Sequence, residues 1–89
     1  MLSEIEIAQK LPRLKGWEKT GNSIQKKYKF RDFVESMGLV TRVALLAEEE
    51  NHHPDILINY SRVTLTLTTH SAGGLTEKDF KLASRIDQL

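Results

Sequence analysis

The chain has 89 residues, 39% hydrophobic and 28% charged, and its 13 basic and 12 acidic side chains leave a formal net charge of +1. Those figures fit one small soluble globular domain spanning 1–89, with too little charge bias for a direct nucleic-acid contact or a membrane surface. With no cysteine, a disulfide scaffold and a thiolate metal site are both excluded.

The first residues, Met1-Leu2-Ser3-Glu4-Ile5-Glu6, carry neither a basic start nor a long apolar run. They read as no signal peptide, and no stretch reads as a membrane span, so the expected location is cytoplasmic. Ser3 and Glu6 form a capping box, with Leu2 and Ile7 at the flanking staple positions. Ile7, Ala8, Leu11 and Leu14 then recur at helical spacing, and Pro12 ends or kinks the helix. Trp17, after Gly16, starts a short strand to Thr20. Gly21-Asn22 turns it into a second strand, Ser23 to Phe30, with Ile24, Tyr28 and Phe30 on one side. Lys26 interrupts that side.

Arg31 or Asp32 opens the longest helix, which runs to about Asn51. Phe33, Met37, Val40, Ala44 and Ala47 form one stripe; Leu39, Val43 and Leu46 widen it to about half the circumference, where one neighbour needs only about 100°. A second partner, another copy of the chain, would use the excess; a helix sunk deep in one core is the other reading. Gly38 sits mid-helix, where glycine costs about 1 kcal/mol relative to alanine. His52-His53-Pro54 breaks the helix, because the residue before a proline avoids the α region. Asp55 to Tyr60 makes a third strand. After a turn near Ser61, Val63, Leu65 and Leu67 alternate with Thr64, Thr66, Thr68 and His70, which places His70 at a strand end on its polar face. Ser71 to Gly74 reads as a flexible loop. Thr76 and Asp79 cap a last helix, whose apolar face is Phe80, Ala83, Ile86 and Leu89 with Leu82 beside it. The order is α-β-β-α-β-β-α, an α+β fold with helices on one face of a four-stranded antiparallel sheet.

All three histidines of the chain lie in His52-His53 and His70. Pairing of the second hairpin brings His70 back towards Pro54, so the three converge. Histidine titrates near neutral pH, which suits an acid–base site for a small molecule. Three histidines also suffice for a catalytic zinc site, although neighbouring histidines rarely present both rings to one ion; polar surface residues without a role are the third reading. Glu48, one turn before His52, is placed to orient that ring. Glu49 and Glu50 read as a solvated acidic run. Asp79 can cap the last helix and orient His70 at once.

Glu48, His52-His53-Pro54, Tyr60, His70 and Asp79 stand at the spacing of the pterin-4a-carbinolamine dehydratase family, also known as the dimerization cofactor of a hepatocyte homeodomain transcription factor. The chain resembles that family over nearly its whole length, including Gly16-Trp17, Gly38 to Ala44 and Thr68 to Asp79. One departure is Ile56, where many members carry an aromatic residue. The resemblance implies loss of water from a 4a-hydroxytetrahydropterin to give the quinonoid dihydropterin, in support of tetrahydrobiopterin recycling. It implies catalysis by His52, His53 and His70, with no metal and no organic cofactor. His52 and His70 would act near the departing hydroxyl and His53 near the ring. Substrate contacts would also come from Asn51, Thr68, Thr69 and Ser71, with Glu48 and Asp79 orienting the histidines. A homodimer or homotetramer through the central helix is implied as well. The alternatives are a protein-binding or coactivator role of the same fold, or a dehydratase-like reaction on a molybdopterin-related pterin.

Overall fold

A computed structural model describes residues 1–89. Helix α1, Glu4–Lys10, opens on the expected capping box: the Glu6 amide donates to the Ser3 hydroxyl at 3.2 Å, and the Ser3 amide donates to Glu6 Oε1 at 3.0 Å. Pro12 has no amide hydrogen, and the chain tightens there into a 3-10 turn, Leu11–Arg13. Strands β1, Glu18–Thr20, and β2, Ser23–Lys29, pair antiparallel around Gly21, whose φ of 59° favours glycine. Helix α2, Phe33–Glu50, is capped by Asp32, which accepts from the Glu35 amide at 2.9 Å. Strands β3, Asp55–Asn59, and β4, Arg62–Leu67, form the second hairpin, and α3, Glu77–Asp87, closes the chain. The sheet is antiparallel throughout, in the order β1-β2-β4-β3. The expected element order and fold class are those observed.

The core fills the space between one sheet face and the three helices. Ile24, Val63, Leu65 and Leu67 expose no surface, and they join Ile7 of α1, Leu39 and Val43 of α2, and Leu82 and Ile86 of α3 in one cluster. Burial of each such side chain contributes about 1.5–3 kcal/mol. Ile56 packs against this core from the edge strand β3. Leu89 does not extend the apolar face of α3; it lies two residues beyond the helix and is exposed.

Two sequence features that read as irregular acquire physical reasons. Lys26 interrupts the apolar side of β2 because its ammonium meets Asp87 Oδ1 at 2.7 Å. The same carboxylate accepts from Trp17 Nε1 at 2.9 Å and from the Lys15 amide at 2.8 Å, which ties the end of α3 to the first hairpin. A charge so paired escapes most of the cost of isolated burial. Burial, aided by the Asp87 charge, pushes the nearby Tyr28 hydroxyl up to about 12. Helix α2 presents two faces, with Leu39, Val43 and Ala47 of the expected arc on one and Phe33 and Met37 on the other. Ser36, Leu39, Val43 and Ala47 are buried, whereas Phe33, Val34, Met37 and Leu45 are 48%, 79%, 37% and 62% exposed.

Strand β4 stops at Leu67, short of the expected end at His70. The Thr68 hydroxyl donates to the Asn22 carbonyl at 2.6 Å. The chain then folds into a 3-10 turn, His70–Ala72, closed by the Gly73 amide on the His70 carbonyl at 3.1 Å. Gly73 has φ of 74°, and Thr69 bridges to Gly74. The expected loop is thus a hydrogen-bonded turn, and His70 stands on it rather than on the polar face of a strand.

Candidate active site

The site begins at the C-terminus of α2. Asn51 adopts the left-handed conformation (φ 50°, ψ 43°), which asparagine tolerates better than most residues. The His52 amide then donates back to the Ala47 carbonyl at 3.1 Å, satisfying an end-of-helix acceptor. This reversal redirects the two histidines. His52 turns inward to the start of α3, and its Nε2 meets Asp79 Oδ1 at 2.5 Å. His53 turns outward, and its Nε2 meets Glu48 Oε2 at 2.5 Å. The expected partnerships are therefore exchanged: Glu48 holds His53 rather than His52, and Asp79 holds His52 rather than His70. A regular helical turn would stack His52 over Glu48, and the left-handed residue removes that stacking.

Asp79 has no exposed surface, yet its charge is well served. Its Oδ2 accepts from the Thr69 hydroxyl at 2.8 Å and from the Thr76 amide at 2.9 Å, the latter completing the α3 capping box. Capping and histidine orientation are thus combined in one carboxylate. An ionised carboxylate only accepts hydrogen bonds, so this bonding assigns the Nε2–H tautomer to a neutral His52 and leaves its Nδ1 without a partner in the chain. His53 is assigned the same way against Glu48. His70 is exposed, and neither of its ring nitrogens is hydrogen-bonded within the chain.

The three histidines, far apart in sequence, line one open cleft of about 330 Å³. Asn51, Thr68, Thr69 and Ser71 line it too, so every residue expected to touch a substrate is present. Their chemistry is narrower than expected, however. Thr68 and Thr69 each have one hydroxyl hydrogen, given to the Asn22 carbonyl and to Asp79, so neither hydroxyl is free to donate to a ligand. The residue that sequence reasoning missed is Lys78, which also lines the cleft. Its place in the first turn of α3, directly before Asp79, was the available signal. No acidic side chain lines this cleft. A larger cleft of about 540 Å³, bordered by Met1 and Leu2, shares Thr69, Ser71 and Lys78 with it. No group of three His, Asp or Glu side chains is arranged to hold a metal ion.

The sequence model of the pterin 4 alpha carbinolamine dehydratase family matches residues 1–89. The chain belongs to that family. A protein of Chloroflexus aurantiacus named "Putative pterin-4-alpha-carbinolamine dehydratase" is 51% identical over 88 residues, 99% of this chain and 95% of that protein. Among solved structures, a Brucella melitensis protein described as a transcriptional coactivator/pterin dehydratase superposes with a TM-score of 0.93 at 39% identity, covering 98% of this chain and 95% of its own. A pterin dehydratase-like protein described as a RuBisCO assembly factor in the alpha-carboxysome superposes with a TM-score of 0.69 at 25% identity, covering 83% and 88%.

Proposed function

We propose that the chain dehydrates a 4a-hydroxytetrahydropterin by histidine acid–base catalysis, with tetrahydrobiopterin recycling as its setting. The observation that carries this reading is the convergence of His52, His53 and His70 in one open cleft, two of them held by carboxylates. In the elimination the bond from C4a to the hydroxyl oxygen breaks, and that oxygen takes a proton and leaves as water. The N5 proton is removed, and its bonding pair becomes the N5–C4a double bond. His52 delivers the proton to the departing hydroxyl. The Asp79 carboxylate fixes the ring's direction and balances its charge while it is protonated, as the aspartate does in a hydrolase triad. His53 takes the N5 proton, with Glu48 behind it. His70, without a partner, stands beside the hydroxyl and exchanges protons with water. These groups share one cleft.

The test is dehydration of freshly generated 4a-hydroxytetrahydropterin, followed by ultraviolet absorbance in the presence of a chelator. Wild type is expected to accelerate the reaction. His52→Ala and His70→Ala are each expected to lose about 10²-fold or more in turnover, the usual scale for a lost acid or base. Near wild-type turnover in both variants overturns the assignment. No acceleration by wild type shifts the substrate to another pterin, such as a molybdopterin-related one.

The second face of α2 favours an additional reading. Phe33, Val34, Met37 and Leu45 form an apolar surface without a partner in this chain. We infer that it carries self-association into a dimer or tetramer, or contact with another protein. The roles named for the Brucella and carboxysome relatives are consistent with such a surface. A binding role needs this face and not the histidines, so partner capture that survives His70→Ala separates the two functions.

A further inference from the structure

Lys78 stands at the N-terminus of α3 with its charge unpaired in the chain. A cation in the first turn of a helix opposes the helix dipole, which favours negative charge there. Its amide donates to the Thr76 hydroxyl at 3.3 Å, but its ammonium meets no carboxylate or carbonyl in the chain. Its neighbours differ: Lys81 pairs with Glu50 and Lys10 with Glu77. Lys78 is also the one permanent cation lining the histidine cleft, and no acidic side chain there competes for it.

We propose that Lys78 anchors the substrate by donating a hydrogen bond to the 4-carbonyl oxygen of the pterin ring, a step that rests on the pterin reading of the cleft. The chemistry of the remaining lining points to that oxygen. The three histidines are engaged at N5 and the 4a-hydroxyl. The 4-carbonyl carbon is bonded directly to C4a, so its oxygen lies beside them, and that oxygen can only accept. The hydroxyls of Thr68 and Thr69 have already given their protons. Histidines that gain and lose a proton in each turnover are poor permanent donors. The Asn51 amide and the Ser71 hydroxyl also line the cleft and can donate, but as neutral groups; a lysine ammonium is a permanent charged donor, with three donors on a flexible stem.

The experiment measures binding by calorimetry, independently of turnover, with two ligands: a 7,8-dihydropterin bearing the 4-oxo group, and its 4-amino counterpart, which presents a donor at that position. Wild type is expected to prefer the 4-oxo ligand by about tenfold or more, the range of a charge-assisted hydrogen bond. Lys78→Met is expected to bind both within about twofold to threefold of each other, and Lys78→Arg to recover most of the preference. Lys78 is exposed, so both variants should fold. A preference that persists in Lys78→Met overturns the proposal, as does a wild type without preference. Wild type that binds with this preference but does not accelerate dehydration defeats the enzymatic reading alone. Wild type that binds neither ligand defeats both.

Discussion

The two histidine–carboxylate pairs of the cleft have the same bond and opposite surroundings. His52 and Asp79 meet at 2.5 Å with side chains 11% and 0% exposed; His53 and Glu48 meet at 2.5 Å with side chains 56% and 76% exposed. The inner carboxylate accepts from three groups on three segments, so its position is determined by the fold. The outer carboxylate accepts from one ring and competes with water for it. A buried pair must be fully bonded to be tolerated, and then it is rigid. An exposed pair contributes about 0–1 kcal/mol and is screened by salt. One histidine is thus built into the structure, and the other leans on an exposed partner.

The largest effect should come from Asp79→Ala. It removes the Asp79 half of the α3 capping box, freeing the Thr76 amide and the Thr69 hydroxyl, and leaves the part-buried His52 Nε2 without its acceptor. Stability is expected to fall by about 2–4 kcal/mol, from the broken capping box and the donors left without an acceptor, read as a lower urea midpoint. Turnover should fall with it, because His52 loses its orientation. A variant as stable as wild type would show that the inner pair is no more than its exposed counterpart. Glu48→Gln should do far less: stability within about 1 kcal/mol of wild type and turnover within about threefold, since water can replace the lost carboxylate. A loss in Glu48→Gln as large as in Asp79→Ala would make the outer pair an equal member of the catalytic group, contrary to its exposure.

The difference between the pairs explains what the sequence made legible. Ser3–Glu6 and Thr76–Asp79 announced both capping boxes, because capping is local chemistry at fixed spacing. The alternation Val63, Leu65, Leu67 announced β4, and the hairpin geometry brought His70 towards His52 and His53. The pairing of each histidine with its carboxylate was not legible. It turns on the left-handed φ of Asn51, a single-residue choice that reverses the direction of both rings. Lys26 was illegible for a related reason: its partner Asp87 is 61 positions away, and helix α3 alone brings it within reach. The threonine hydroxyls read as ligand contacts because their internal acceptors, Asn22 and Asp79, are distant in sequence or counted towards another role. Local rules were readable; the allocation of a few polar atoms among tertiary partners was not.

A third carboxylate at the same helix end tests the comparison most finely. Glu50 lies two residues beyond Glu48 and receives Arg85 Nη1 at 2.7 Å, with Lys81 at 3.4 Å. The hydrogen bond from Arg85 holds its carboxyl below the ordinary value of 4.5. A carboxyl depressed in the folded state adds stability that is present above its unfolded pKa and is lost as the pH falls through the folded one. Arg85→Gln should therefore lower the melting temperature slightly at pH 7, and the gap from wild type should close as the pH falls well below 4.5. A gap that stays constant into strong acid would mean that Arg85 acts through the packing of its stem rather than its charge. Glu50 would then behave like the exposed histidine pair, with the number of donors it receives adding little to stability.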